Sequence, residues 1–406
     1  MGKILNLEYG SLNAFYWMSY GVIASFASVF LLGKGYTNTD IGMILAAANV
    51  VAVFLQPILA DITDRSKKFG LVSMISLVTV VMMTLTFGSF ILQQKSLALT
   101  VIYVLMVAGN GALQPLVNSL CFKLEESGIH MNFGVCRSGG SLAFSILTMI
   151  LGSLVEKRGI LVIPITGEVT LIMVLVSLVL VSFHFKKACK ENNLKIEKNR
   201  LAADQPTKED TYEEINLIQF ASKHKMFFVM MMGTLGLYFS NGVLNTFMLQ
   251  VIQPLGGTSE DMGRILSIMA FLEIPTMVFF EQLNRRFQTK TLLKVAATGF
   301  VLKTAVVWLA PTVTIVLFAQ TFQLVSFALF LPAMVSFISQ SMRKGEAVKG
   351  QAMFTTVTNI AYILCSFVGG MLLDAYGAGT LMMVSTALTA LGAIIIVLTI
   401  EKVRIN

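Results

Sequence analysis

The sequence predicts an all-α membrane protein in which twelve transmembrane helices form two pseudo-symmetric six-helix bundles. Three observations carry that prediction. The chain of 406 residues is 55% hydrophobic and 13% charged, with a mean hydropathy of +0.77, whereas soluble domains carry about 25% charged residues. Apolar stretches long enough to cross a hydrocarbon core of about 30 Å as a helix recur along the whole chain. A local pattern also repeats: DIGMIL at 40–45 returns as DMGRIL at 261–266, and Arg65 and Arg286 fall in the same frame, a constant offset of 221 residues.

The twelve spans lie at about 10–33, 40–60, 70–92, 98–121, 134–155, 160–185, 225–252, 260–282, 291–310, 312–340, 350–373 and 380–400. Membrane β-strands would be half as long, so helices are required. The first span is too long for the apolar core of a secretory signal and no cleavage site follows it, so it reads as a retained helix. It carries Asn13, Tyr16 and Tyr20. The second ends in LADITDRSKKFG, with Asp61, Asp64 and Arg65, and NRRFQTK with Arg286 takes the matching place in the second half. Charges at helix ends can bridge to neighbouring helices until a conformational change parts them, which makes these four candidate gating residues; equally, they mark the inner face.

The fourth span spaces Asn110, Gln114 and Asn118 by four, and the seventh spaces Tyr238, Asn241 and Asn245 by three and four, so each set shares one helical face. The fifth opens with NFGVCRSGG around Arg137. After the sixth comes the one long polar stretch, read as a cytoplasmic linker at 186–224 between bundles at 1–185 and 225–406. The eighth holds Glu273 and the ninth Lys303. The tenth adds Gln320 and Gln323, and the eleventh Thr355, Asn359 and Tyr362 beside Gly369 and Gly370, which permit close helix approach.

The formal charge of +8 does not indicate nucleic acid. With a cytoplasmic N-terminus, all Lys and Arg fall in cytoplasmic segments except Lys34, Lys95, Lys157, Arg158, Arg137, Arg264 and Lys303. That bias is the positive-inside rule and puts both termini in the cytoplasm. Cys121, Cys136, Cys189 and Cys365 form no CxxC pair, so no disulfide framework, metal or cofactor is expected.

Glu273 is the most informative residue. A carboxyl inside an apolar span needs a partner or water, and the repeat places Ala52 at the equivalent position, so the architecture does not demand an acid there. Arg137 and Lys303 raise the same question, because insertion scales price Lys or Arg at a helix centre at about 2.5–3.5 kcal/mol. A Glu273–Lys303 pair would leave Arg137 for a ligand. The alternatives are a Glu273 satisfied by packing alone and an Arg137 that snorkels to the inner surface. Amide and tyrosine stripes on five spans are either hydrogen-bonded packing between helices or, pointing inward together, the lining of a hydrated cavity, and the cavity is the favoured reading.

These residues also carry a resemblance. QPILADITDRSKK resembles the signature between helices two and three of the major facilitator superfamily, with Ala60 for its first glycine and Ser66 near its second. NFGVCRSGG resembles the helix-five segment of the branch related to lactose permease and phenylpropionate permease. The match sets Arg137 on that branch's sugar-contacting arginine, with Val135 replacing the segment's first arginine. GQAMF at 350–354 is similar to the start of helix eleven in the same branch. The departures are equally plain. Asn118 or Ser119 stands where lactose permease has a helix-four glutamate, and AQTFQLVSFALFLP contains no histidine or acid. The proton relay of that branch therefore does not carry over intact, although Glu273 falls near its helix-eight acid and Lys303 near its helix-nine arginine.

The expected function is secondary active transport by alternating access, in the plasma membrane, with protons and a small solute as partners besides lipid. Glu273 and Lys303 are the candidate proton-coupling residues. Arg137, Asn110, Gln114, Asn118, Tyr16, Tyr20, Tyr238, Asn241, Asn245, Gln320, Gln323, Asn359 and Tyr362 are the candidate solute contacts. A sugar, oligosaccharide or nucleoside suits these groups first, a small aromatic or other organic acid second, and a drug in exchange for protons third. An enzyme or sensor is disfavoured, because His130, His184 and His224 are scattered and no soluble domain is appended. The resemblance implies a monomer.

Overall fold

The computed structural model of the chain describes residues 2–65, 70–126, 129–199 and 223–403. Among them every regular element is a helix. α1 (Gly2–Tyr20) passes through a π-helical turn at Gly21–Ser25 into α2 (Ala27–Gly33), with a bend of 42° at the break. Then follow α3 (Asn38–Arg65), α4 (Leu71–Ile91), α5 (Leu97–Glu126), α6 (Phe133–Arg158), α7 (Val162–Asn199), α8 (Lys225–Thr246) and the short α9 (Met248–Ile252). The chain continues with α10 (Ser259–Arg286), α11 (Thr289–Trp308), α12 (Val313–Ala319), α13 (Phe327–Ser341) and α14 (Lys344–Ile400); a 3-10 segment, Gln320–Val325, joins α12 to α13. Of the expected linker, residues 200–222 lie outside the described residues.

Among the described residues ten helices are long and apolar enough to cross a membrane, and eleven when the bent α1–α2 pair is taken as one span. The last, α14, has 57 residues and turns at Gly377, where φ is 80° and ψ is 177°. Only glycine takes that φ readily, so Gly377 sets the corner. The two apolar stretches expected at 350–373 and 380–400 lie on its two sides. Large apolar side chains cover the flanks of the array: Phe54, Phe87, Val179, Phe183, Phe279 and Leu398 are each more than half exposed. Such a surface is a lipid contact, and the chain is a multi-pass membrane protein.

Polar backbone freed inside the spans finds partners within the protein, as hydrocarbon requires. Pro115 in α5 has no N–H for the carbonyl of Gly111, and Gln56 Nε2 of α3 donates to that oxygen at 3.1 Å. In the 3-10 segment the carbonyl of Leu324 accepts from Thr276 Oγ1 of α10 at 3.0 Å.

The helices pack as two groups. α1 lies on α6 and α7, α3 on α5, and α4 on α5 and α7; in the second group α14 lies on α8 and α11, and α13 on α10 and α11. The groups meet along two seams, α6 with α10 and α3 with α14. Each seam is built on a glycine pair. A Cβ at Gly42 would fall 2.3 Å from the carbonyl oxygen of Ser366, and one at Gly370 2.3 Å from that of Asn38. Across the other seam a Cβ at Gly152 would fall 2.5 Å from the carbonyl oxygen of Ser259, and one at Gly263 2.4 Å from that of Thr148. Any larger residue would force the groups apart there.

The sequence repeat is what builds these seams. Thr37 and Asp40 cap each other reciprocally at the start of α3, and Thr258 and Asp261 do the same at the start of α10. A second matched pair of contacts follows. Asp374 of α14 accepts from the backbone N–H groups of Asn38 (3.2 Å) and Thr39 (2.7 Å), and Glu156 of α6 accepts from that of Ser259 (3.2 Å). A carboxylate from one group thus sits on a helix N-terminus of the other, twice, where the helix dipole favours negative charge. Both contacts lie at the end of the molecule opposite the chain termini.

Each such contact contributes about 0.3–1 kcal/mol, so replacing both (Asp374→Asn with Glu156→Gln) should shift the population toward separation at that end by roughly threefold to thirtyfold. Spin labels at Leu97→Cys and Leu309→Cys, on opposite groups, would report it as a growing long-distance population in electron–electron resonance.

Candidate functional site

Between the groups lie two cavities of about 140 and 200 Å³ that share Tyr20, Asn245 and Tyr362 in their linings. The first is built around charge. Asn132 caps α6 by accepting from the N–H of Val135 at 3.2 Å, which brings Arg137 into the first turns of that helix. The guanidinium turns into the cavity rather than to the helix end. It lies over the Trp17 ring, 3.9 Å from the centroid, and Nη1 donates to Ser141 Oγ at 3.0 Å. Gly140 makes that stack possible, because a Cβ there would fall 2.5 Å from Trp17 Cδ1. Tyr16 and Tyr20 flank the indole with ring centroids 5.4 and 5.3 Å away.

Facing Arg137 from α10, Glu273 lines the same cavity. Its Oε1 accepts from Gln323 Nε2 at 2.9 Å, and Gln323 Oε1 accepts from Lys303 Nζ at 2.5 Å. The expected Glu273–Lys303 pair is therefore bridged by an amide instead of closing directly. Lys303 sits behind it, 2% exposed. On the α8 and α14 side, Asn241 Nδ2 donates to Tyr362 Oη at 3.0 Å and Asn245 Nδ2 to the carbonyl of Asn241 at 2.8 Å. The second cavity gathers Asn49, Gln56, Gln114, Asn245 and Asn359. It also holds Ala52, the repeat equivalent of Glu273.

Several candidate contacts lie elsewhere. Tyr16 Oη donates to the carbonyl of Asn110 at 3.2 Å, and Asn110 Nδ2 to Ser19 Oγ at 3.3 Å, all buried in the α1–α5 contact. Tyr238 is buried in an aromatic cluster with Phe300, Phe327, Phe330 and Phe354. Gln320 is fully buried and returns its amide to the carbonyl of Val316 at 2.7 Å. Asn118, half-buried, lines neither cavity. Spacing identifies a shared face but not whether that face meets water or another helix, and for Tyr16, Asn110, Tyr238 and Gln320 it is buried in protein.

The candidate gating residues make no bridge between the groups among the described contacts. Arg65 pairs with Asp61 on its own helix at 2.5 Å, both well exposed, and Arg286 lies 5.9 Å from the Phe287 ring. The side chain of Asp64 lies outside the described residues. Polar contacts between the groups occur instead at mid-depth, Ser145 with Ser267, and at the far end around Asn38, Asp374, Glu156 and Ser259.

Trp17, Ser141, Asn49 and Gln56 line the cavities without having been singled out from the sequence. Two of them had a signal: Asn49 and Gln56 are seven apart, hence on one face, the same criterion that selected the other amides. Trp17 had none, since it falls off the Tyr16–Tyr20 face by one residue. Among the described residues no group of three or more His, Cys, Asp or Glu could hold a metal.

Comparison with known proteins gives a consistent picture. The model of the family described as "MFS_1 like family" matches residues 9–384. The "Uncharacterized transporter YwbF" of Bacillus subtilis (strain 168) is 21% identical over 383 residues, 90% of this chain and 87% of that protein. The maltose permease of Geobacillus stearothermophilus is 23% identical over 397 residues, 96% of this chain and 93% of that one. A solved structure of a mutant of the nucleoside transporter NupG superposes with a TM-score of 0.76 at 14% identity, covering 97% of this chain and 99% of the other.

Arg137 shields one face of Trp17. In a Trp308→Phe background, Arg137→Ala should raise acrylamide quenching of the remaining indole; unchanged quenching would mean that the stack is not populated in solution.

Proposed function

From the premise that the chain belongs to the MFS_1-like family, we propose that it is a proton-coupled secondary transporter of a small polar solute, working by alternating access. The observation that carries this reading is the meeting of Arg137 and Glu273, from opposite groups, on one polar cavity at mid-depth. A solute held between them touches both moving parts. Its binding can then favour one relative arrangement of the groups over another, which is what coupling requires.

Glu273 supports the proton role. Its carboxyl reaches the cavity, so a proton can arrive from water, while protein surrounds the rest of the side chain. Moving one proton inward yields about 2.3 kcal/mol per 100 mV and about 1.4 kcal/mol per pH unit. A tenfold solute gradient costs about 1.4 kcal/mol, so one proton per solute suffices. The glycine seams and carboxylate-capped helix ends hold the far end together, and their separation is the other half of the cycle. Basic loop residues support cytoplasmic termini and residence in the plasma membrane; the protein is read as acting as a monomer.

For the solute, the site offers an aromatic face at Trp17, hydrogen-bonding amides at Asn241, Asn245, Gln114 and Asn359, and one cation. A neutral hydroxyl-rich ring suits that set: the ring stacks and its hydroxyls bond to the amides. Sugars and nucleosides are the leading classes; a relative is named for maltose, and a structural neighbour that shares the fold is named for nucleosides. A small organic acid is the second reading. Arg137 has Ser141 and Trp17 as its near partners and no carboxylate within 4 Å among the described ion pairs, which leaves its fork for a solute carboxylate.

Proteoliposomes loaded with purified protein should accumulate labelled maltose or uridine when a pH gradient, acid outside, is imposed. Glu273→Gln should abolish accumulation and spare exchange at equal concentrations; full accumulation by that variant would end the proton role. Arg137→Lys should weaken solute recognition by roughly tenfold to hundredfold, the loss of a charged hydrogen bond. Uptake of benzoate in place of both neutral solutes would favour the second reading.

A further inference from the structure

With Lys303 protonated and Glu273 ionised, the bridge from Lys303 through Gln323 to Glu273 has only one way to be hydrogen-bonded. An ammonium donates and never accepts, and a carboxylate accepts and never donates, so Gln323 must turn its oxygen to Lys303 and its NH₂ to Glu273. The distances, 2.5 and 2.9 Å, match that orientation. Gln323 is 1% exposed and Lys303 2% exposed, and neither lines the cavity. A solute can reach Glu273 but not the lysine behind it.

The fold holds the amide in that gap. Gln323 lies on the 3-10 segment Gln320–Val325, where the break between α12 and α13 shifts the chain out of α-helical register. Thr276 of α10 secures one side through the carbonyl of Leu324. Gly299 of α11 admits the other, since a Cβ there would lie 2.4 Å from the carbonyl oxygen of Val325. The segment is thus pinned between the helix bearing Glu273 and the helix bearing Lys303.

We infer that Gln323 is a positioning residue that ties the charge states of Glu273 and Lys303 together, so that the proton site is a three-residue unit and not a single carboxyl. This rests on the reading of Glu273 as the proton carrier. When both ends are charged, the amide dipole lies between cation and anion with each end satisfied. A proton arriving from the cavity binds Glu273 Oε2, the oxygen without the amide contact, and neutralises the carboxyl; no bond breaks and Lys303 keeps its proton. The amide contact then falls from a charge-assisted to a neutral hydrogen bond. Lys303 is left as a buried cation without its counter-charge, a costly state that favours any rearrangement giving it water or a new partner. Proton uptake is thereby felt on α11 and the α12–α13 break, away from the cavity. The other charged or titratable groups around Glu273 are Arg137 of α6, Tyr20 of α1, Tyr238 of α8 and Tyr362 of α14.

The test is an infrared pH titration of the full-length protein in lipid, following the carbonyl stretch of protonated Glu273, assigned by its loss in Glu273→Gln. Gln323→Met and Lys303→Met should each move the midpoint upward by about one pH unit, tenfold in proton affinity. In the double variant the total shift should fall well short of the sum. Additive shifts, or an unmoved midpoint in either single variant, would overturn the inference. If Gln323→Met does not fold, an unmoved midpoint in Lys303→Met alone is equally fatal. Full solute accumulation by Glu273→Gln would remove the transport role while leaving the titration coupling intact, so the two failures are distinct.

Discussion

A charge placed at membrane depth must have water or a partner, and this molecule is arranged around three such charges. Arg137 and Glu273 have room for water, because the two helical groups leave a cavity between them that both side chains line. Lys303 has a partner, because an irregular segment of chain holds an amide against it. The cavity, the broken helix and the glycines that let α1 approach α6 are all consequences of accommodating charge where hydrocarbon would reject it.

The internal repeat divides the labour. Its matched residues are mechanical: Thr37 and Thr258, Asp40 and Asp261, Gly42 and Gly263 cap the two helices and let them press on the opposite group. Its mismatched residues are chemical. Ala52 and Glu273 occupy equivalent places, and both line the space between the groups, but only one can titrate. Symmetric parts suit a motion that must run in two directions. On the proposed reading the solute and proton site has no such need, since one carboxyl would serve both halves of the cycle.

Much of the site was legible in the sequence for one reason: ionisable residues inside apolar runs are expensive, so each is informative alone. Arg137 and Glu273, which line one cavity, were singled out that way. Uncharged polar residues carry less information, because an amide or hydroxyl can be satisfied by a helix neighbour as readily as by water. Asn110, Tyr16, Tyr238 and Gln320 share the spacing of cavity-lining residues yet are buried in helix contacts. Trp17 is the reverse case: an apolar ring gives no signal by cost, and its place on the cavity depends on Gly140 across the helix pair.

Composition and span length alone determined that the chain is helical and crosses a membrane repeatedly, because hydrocarbon thickness and backbone hydrogen bonding leave little choice, and the repeat at an offset of 221 residues marked it as doubled. Which polar faces meet water, and which residue stands between Glu273 and Lys303, was decided only in three dimensions. Those outcomes depend on how helices far apart in sequence rotate against one another and on a break in helical register at Gln320–Val325. Side-chain spacing along one helix contains neither quantity.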